Sequence, residues 1–200
     1  MRLNLRKRSK TPVWLTMHDR HAMVLIAICY RFLEENPKFK LIVAGHTDST
    51  GSDTINFDLS DKRAANVLYL LTGERDKWVE NALDTGKTED IQRILKHYSH
   101  ANGWPCDPGP IDDQTGPLTE SGVRGFQEVY NAAFDKTIGV DGVVGRETWG
   151  ASYDCYVDEV SRLMKVETSA LDGHRDGLRY VDDGQKTKGC GERVPNDGTY

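Results

Sequence analysis

An acid and a base in one short stretch, residues 45–67 (GHTDSTGSDTINFDLSDKRAANV), have types and spacing that suit ligand binding. Asp48 follows a β-rich run and offers a carboxylate to an ammonium group. Arg63 lies just inside a predicted helix, where its planar guanidinium and the helix amino terminus both favour a carboxylate. The two residues could therefore clamp a small zwitterion. The alternatives are that Asp48 pairs with Arg63 itself, or that Asp48 caps its own loop.

The segments around this stretch predict alternating helices and strands. The run DRHAMVLIAICYRFLEE predicts a largely buried helix over 19–35 that ends before Pro37, and FKLIVAG predicts a buried strand over 39–45. Ser60 is the predicted N-cap of a second helix. The buried face of that helix is predicted to contain Ala64, Val67, Leu68 and Leu71. With a first strand from either LNLRKRSK or VWLTM, these elements predict helices packed on one side of a small sheet.

A second unit is predicted after LLTGERDKW, where the pattern changes. Thr88 is the predicted cap of a helix that ends at ANGWPCDPGP. The buried face of this helix is predicted to contain Ile91, Ile94, Leu95 and Tyr98.

A short internal repeat follows in the same unit. IDDQTGPLT from Ile111 and VDGVVGRET from Val140 share an aliphatic residue, Asp, three residues, Gly, two residues and Thr, at a constant offset of 29. Each copy predicts a tight turn that opens a helix, with the Thr in its first turn. The first helix is predicted to direct Val123, Phe126, Tyr130 and Ala133 inward, and the second Trp149, Tyr153, Tyr156, Val160 and Leu163. These patterns predict a three-helix bundle.

The stretch 45–67 resembles the signature of OmpA-like domains, the peptidoglycan-associating modules of bacterial outer-membrane proteins, lipoproteins and motility stators. The matching residues are Gly45, Thr47, Asp48, Gly51, Asn56, Leu59, Ser60, Arg63, Ala64 and Val67. The resemblance implies that Asp48 and Arg63 bind the amino and carboxyl groups of diaminopimelate in the peptidoglycan stem peptide. It also implies that Thr47, Asn56 and Leu59 shape the pocket. Alternatively, both residues are structural: Asn56 stabilises the loop, and Leu59 forms a hydrophobic staple at the start of the helix.

The second unit is similar to the three-helix peptidoglycan-binding domain found beside many cell-wall hydrolases. The doubled D-x-x-x-G-x-x-T, GVRGFQ and IGVDGVVGRETWGA carry this resemblance, and Trp149 and Tyr153 are interpreted as core rather than as a sugar platform. GCGERVP, residues 189–195, resembles the G-x-G-E-x-x-P element of OmpA-like domains.

Together the resemblances imply an α+β protein. A βαβαβ-type OmpA-like sandwich, over residues 1–72 and 173–200, is interrupted by an all-α three-helix bundle over 73–172. No closing N-R-R-V strand is found by Tyr200, so we expect either a truncated product or an OmpA-like sheet that is completed in another way.

Composition and charge narrow the function classes. An apolar fraction of 38% suffices for a packed core, and the longest apolar run is shorter than the roughly 20 residues of a membrane span. Charged residues interrupt the N-terminal apolar run, so no signal peptide is predicted. The net charge of −5 disfavours nucleic acid. The four cysteines lack a C-x-x-C pair, so no metal or cofactor is expected; Cys106 and Cys155 could form a disulfide in an oxidising compartment.

The sequence predicts a binding protein rather than an enzyme, because no catalytic Cys and His pair, zinc set or carboxylate pair forms a motif. The main hypothesis is a peptidoglycan-binding protein of the bacterial envelope or periplasm whose two modules bind the wall at once. Its expected partner is the stem peptide, and binding to the glycan as well is left open. One alternative is a structural or docking component of an envelope or injection machine that contacts its other proteins. Another is the targeting part of a cell-wall hydrolase.

Overall fold

A computed structural model describes residues 2–3, 21–47 and 53–191 of the chain. Seven α-helices and three short strands are present in this part of the chain. In chain order they are β1 (Arg2–Leu3), α1 (His21–Glu35), β2 (Val43–Gly45), α2 (Asp53–Thr72), α3 (Arg75–Thr85), α4 (Thr88–Asn102), α5 (Pro117–Phe134), α6 (Arg146–Met164), α7 (Leu171–Asp176) and β3 (Thr187–Gly189). A single 3-10 turn, Thr168–Ala170, precedes α7.

The chain is mostly helical and divides into two compact units. Unit 1 comprises Met1–Glu74 and Val157–Tyr200, and unit 2 comprises Arg75–Tyr156. The short strands all belong to unit 1. None of the helices in the described ranges is long and apolar enough to cross a membrane.

The sheet of unit 1 pairs a segment near residue 43 with the chain near residue 187. β2 lies in the middle, antiparallel to β1 and parallel to β3. Leu41 adds an isolated parallel bridge to Tyr180. The predicted strand over 39–45 is therefore too long, since only Val43–Gly45 is regular. Between Tyr180 and β3 the chain makes a turn, in which Gln185 N donates to Asp182 O at 3.3 Å. This turn interrupts the parallel pairing between the two segments.

Helix α1 confirms the predicted buried helix. It ends at Glu35, before Pro37, and the predicted start at Asp19 lies outside the described residues. Tyr30 is 2% exposed, and its hydroxyl donates to Leu71 O of α2 at 2.6 Å. Because a buried hydroxyl requires a partner, this bond fixes the register of α1 against the end of α2.

Helix α2 begins at Asp53, so the prediction that Ser60 caps its amino terminus is wrong. Ser60 lies in the middle of the helix and is fully buried. Its Oγ donates to Phe57 O at 2.8 Å and accepts a hydrogen bond from Gly191 N at 3.0 Å. A serine is tolerated in a helix interior when its hydroxyl donates a hydrogen bond to a nearby backbone carbonyl, as it does here. Of the predicted inward face, Ala64, Val67 and Leu71 are buried and Leu68 is half-buried.

The backbone of β2 packs directly against α2 at Gly45. A Cβ atom built on Gly45 would lie 1.8 Å from the carbonyl oxygen of Ser60 and 3.2 Å from Ala64 N. Only glycine permits this approach, since the nearest atoms belong to the backbone of a helix interior and cannot move aside. The close approach therefore sets the distance between the sheet and α2 within unit 1.

Unit 2 contains the predicted bundle helices, here α4, α5 and the first part of α6, and also α3. The predicted inward residues of α4 are all buried, and Gly103, with a φ of 69°, caps its carboxyl end after Asn102. The start of α4 differs by one residue from the prediction, because Lys87 and not Thr88 is the N-cap. Lys87 N donates to the Asp90 carboxylate at 2.9 Å.

Helix α3 was not predicted, because most of its residues are polar. Its buried residues are Trp78, Val79 and Ala82. The Trp78 ring packs edge-on against Trp149 of α6, with centroids 6.2 Å apart. Arg75, at the start of the helix, donates from Nε to the Asp154 carboxylate at 2.8 Å, and the Tyr130 hydroxyl donates to the same carboxylate at 2.6 Å. The Trp78 indole and the ion pairs of Arg75 with Asp154 and of Glu80 with Arg146 therefore hold α3 in unit 2.

Two of the predicted inward positions are exposed. Ala133 is rotated about 80° from Val123 around the axis of α5, so it leaves the buried face. Leu163 is 36% exposed, and Met164, one residue later, takes the inward position at 7% exposed. The other predicted core residues of α5 and α6 are buried, including Trp149 and Tyr153.

The four cysteines are free thiols, so no disulfide joins Cys106 to Cys155. Burial raises the pKa of the Cys29 and Cys106 thiols to about 12. Cys106 Sγ donates to Leu95 O at 3.3 Å. These thiols are core groups in the structure rather than reactive nucleophiles.

Replacing Gly45 by alanine tests the close approach of β2 to α2. We expect Gly45→Ala to destabilise unit 1 by about 3 kcal/mol, because the new methyl group overlaps the Ser60 carbonyl. The measurement is hydrogen exchange of the α2 amides, whose protection should fall.

Gly173→Ala is the matched control in the same unit. No atom lies within 4 Å of a Cβ built at Gly173, which is helical, so this change should leave α2 protection unaltered. Equal α2 protection in the two variants would contradict the proposed packing.

Candidate functional site

The guanidinium predicted to bind a carboxylate belongs to unit 1. Arg63 is half-buried, and its Nη1 donates to His46 O at 3.4 Å. The expectation that Arg63 lies beside a helix amino terminus is wrong, since α2 begins ten residues earlier, at Asp53. Asp48, the predicted acidic partner, lies outside the described residues. The structure thus places Arg63 against the segment that leads to Asp48.

Two buried polar atoms lie in this part of unit 1. Asn56 is 2% exposed and belongs to α2, and Thr47 N donates to Gly191 O at 3.2 Å. Neither Asn56 Nδ2 nor Thr47 Oγ1 has a hydrogen-bond partner among the described residues. Leu59, the last predicted pocket residue, is half-buried. An unpartnered buried polar atom costs about 1–3 kcal/mol, so a polar ligand group at these atoms would be favourable.

In unit 2, the first repeated turn is held by a buried side chain that the sequence analysis missed. Gln92 of α4 is 1% exposed. Its Oε1 accepts from Asp112 N at 3.0 Å and from Asp113 N at 3.1 Å. Its Nε2 donates to Asp112 Oδ1 at 2.8 Å, to Gln114 O at 3.0 Å and to Thr119 Oγ1 at 3.1 Å. One amide thus satisfies both sides of the turn.

The second repeated turn is held in the same way by Gln127 of α5, which is also 1% exposed. Its Oε1 accepts from Asp141 N at 3.1 Å and from Gly142 N at 3.0 Å. Its Nε2 donates to Asp141 Oδ1 at 3.0 Å, to Val143 O at 3.3 Å and to Thr148 Oγ1 at 3.1 Å. The repeat therefore extends from residue types to individual hydrogen bonds.

The backbone conformation of the turns is repeated as well. Asp113 has a φ of 60° and Gly142, its counterpart, a φ of 74°. Both lie in the left-handed region, which glycine and aspartate tolerate better than most residues. This explains why the position after the repeated Asp is Asp in one copy and Gly in the other.

The repeated aspartates are held in their charged form. The Gln92 amide and the Gln114 N–H lower the pKa of Asp112, and the Val143 N–H and the Gln127 amide lower the pKa of Asp141. Carboxylates that accept several hydrogen bonds favour ionisation. A pKa lowered on folding gives stability that is present above the unfolded pKa, near 4, and is lost as the pH falls through the folded value.

A groove of about 510 Å³ opens in unit 2 beside the second turn. One wall consists of the end of α3 and the start of α4, with Leu83, Gly86–Thr88 and Ile91. Thr88 Oγ1 lies 3.2 Å from Thr115 Oγ1, so the start of α4 contacts the loop before α5.

The rest of the lining comes from α5, the second turn and α6. These residues are Thr119, Glu120, Val123, Asp141–Val144 and Trp149. Trp149 is only 6% exposed, and Gly86 packs against it: a Cβ on Gly86 would lie 2.6 Å from the indole. The Gln127 hydrogen bonds thus position a wall of the groove, which makes Gln127 a structural part of this site.

A sequence signal for the two glutamines exists. Gln92 directly follows Ile91, and Gln127 directly follows Phe126, so each lies next to a predicted core position in the helix before a repeated turn. A polar residue on the buried face of a helix, in front of a turn rich in N–H groups, indicates a hydrogen-bonded support.

Part of unit 2 is similar to a known family. Residues 86–151, about a third of the chain, match the family model described as "Putative peptidoglycan binding domain". This stretch contains both repeated turns, both glutamines and every groove residue except Leu83. Comparisons with curated proteins and with solved structures gave no match. The family match supports peptidoglycan binding, and thus association with the cell wall, in general terms.

Replacing Gln127 by leucine tests its role. We expect Gln127→Leu to lower the free energy of unfolding of unit 2 by about 2–4 kcal/mol, because buried N–H groups such as that of Gly142 lose their acceptor. The measurement is chemical denaturation followed by fluorescence of the unit 2 tryptophans.

Gln114→Leu makes the same chemical change on the exposed surface of the first turn. We expect it to change the free energy of unfolding by less than about 0.5 kcal/mol. A Gln127→Leu protein as stable as Gln114→Leu would show that the amide does not support the turn.

Proposed function

We propose that this chain is a non-catalytic peptidoglycan-binding protein of the bacterial cell envelope or periplasm. The observation that carries the proposal is the groove of unit 2, since nearly all of its lining belongs to the stretch matched by the peptidoglycan-binding family model. Its mixture of aliphatic side chains with a few polar and charged groups is typical of a ligand site.

We further propose that Asp48 and Arg63 clamp the zwitterionic end of diaminopimelate, with Thr47, Asn56 and Leu59 shaping the pocket. The support is the position of Arg63 against His46, two residues before Asp48, together with the unpartnered polar atoms of Asn56 and Thr47. An arginine fork suits a carboxylate, and the buried polar atoms could bond to the rest of the ligand.

The domain organisation remains the one proposed from the sequence. An OmpA-like βαβαβ domain over 1–72 and 173–200 is interrupted by a helical peptidoglycan-binding domain over 73–172. The division into two compact units, one of them discontinuous in sequence, supports this proposal. The second boundary between the units, at Val157, lies earlier than the proposed one.

Two binding sites on one chain would suit a repeating polymer. When one site is bound, the other meets nearby ligands at a high effective concentration, so the apparent affinity exceeds that of either site. This arrangement would permit a firm attachment to the wall with two weak sites.

Co-sedimentation with purified sacculi tests the clamp. We expect Asp48→Ala and Arg63→Ala each to weaken binding by about tenfold, because either change leaves one charged end of the ligand without a partner. Free diaminopimelate should compete with sacculi for the wild-type protein.

Lys62→Ala is the matched control, since Lys62 is next to Arg63 on α2 and pairs with Asp58 at 2.9 Å. It should bind like wild type. The clamp is wrong if Asp48→Ala and Arg63→Ala also bind like wild type and free diaminopimelate does not compete.

A further inference from the structure

The groove of unit 2 lacks the feature that most favours sugar rings. A sugar ring packs well on the open face of an aromatic side chain, which is large, flat and apolar. Trp149 is the only aromatic residue in the lining, and it is 6% exposed, with Gly86 and Trp78 against its ring. The described walls of the groove therefore offer no aromatic face to a glycan strand.

The lining carries charges of both signs instead. Lys87 lies at the start of α4, Glu120 lies on α5, and Asp141 lies in the second turn; all three residues are exposed. Within the described ranges, neither the Lys87 ammonium nor the Glu120 carboxylate forms an ion pair. The Val143 N–H and the Gln127 amide, which both donate to Asp141 Oδ1, lower the pKa of Asp141. A ligand with both an ammonium and a carboxylate would match these charges.

Aliphatic side chains complete the lining. Leu83 is 41% exposed and Val143 is 58% exposed. Both can contact methyl groups, and the removal of a methyl group from water is favourable. The amino-terminal end of α4 also borders the groove beside Lys87, and its N–H groups and dipole add a weak preference for a carboxylate there.

Peptidoglycan consists of neutral, N-acetylated sugars and short peptides that carry methyl side chains, carboxylates and a free ammonium group. We propose that the groove of unit 2 binds the stem peptide rather than the glycan strand. A peptide carboxylate lies at Lys87, the ammonium group lies at Glu120 and Asp141, and alanine methyl groups contact Leu83 and Val143. This inference rests on the proposed peptidoglycan-binding function.

The test is calorimetric titration of the full chain with two probes. One probe is the free stem tetrapeptide containing diaminopimelate, and the other is peptide-free glycan strands. Arg63→Ala is used as the background, so that the proposed clamp of unit 1 does not contribute. Glu120→Lys is then added to it, with Glu128→Lys as the matched control, since Glu128 is exposed on the same helix and does not line the groove.

We expect the Arg63→Ala background to bind the tetrapeptide and not the glycan strands. Glu120→Lys should weaken tetrapeptide binding by about tenfold, and Glu128→Lys should have little effect. Thermal melting of each variant checks that the fold is retained, which is expected because both glutamates are exposed.

The inference is overturned if glycan strands bind and the tetrapeptide does not, or if Glu120→Lys and Glu128→Lys behave alike. Either result leaves peptidoglycan binding by the chain intact, provided that the wild-type protein still co-sediments with sacculi. If the wild type neither co-sediments nor binds the tetrapeptide, the proposed function fails together with this inference.

Discussion

The amides of Gln92 and Gln127 are the interactions on which unit 2 depends. Each turn presents two N–H groups and a carbonyl toward a helix, and one buried amide satisfies them all. An aliphatic residue of similar volume would fill the space but leave these groups without partners. Because the second turn forms a wall of the groove, the Gln127 bonds also determine the positions of Asp141 and Val143 in that wall.

Unit 1 uses close backbone contact in place of a buried amide. Gly45 packs against the Ser60 carbonyl, and Gly191 N donates to the Ser60 hydroxyl, so α2 lies directly against the chain near β2 and β3. This contact positions Arg63, one turn further along α2, close to His46. The packing of unit 1 and the proposed clamp therefore depend on the same small residues.

The sequence predicted the features that periodicity and local turn chemistry encode. The buried face of α4, the repeated turns and the core role of Trp149 are confirmed, because apolar spacing and turn residues are local signals. The predictions from the sequence were wrong or incomplete where contacts between distant residues determine the local structure. Ser60 has the residue type of an N-cap but is buried in a helix interior. Helix α3 has a mostly polar sequence, and the packing of Trp78 on Trp149 that stabilises it is a contact between residues distant in sequence. The arrangement of charges around the groove combines the start of α4, helix α5 and the second turn, so it has no local signature.

The central claim is that the groove of unit 2 binds peptidoglycan. Its most direct test is two-dimensional NMR of the isotope-labelled full chain, titrated with soluble muropeptides released from sacculi. If the groove binds peptidoglycan, the largest amide shifts should occur at residues 86–88 and 141–144, on the two walls of the groove. Saturating muropeptide that leaves these amides unshifted would contradict the claim.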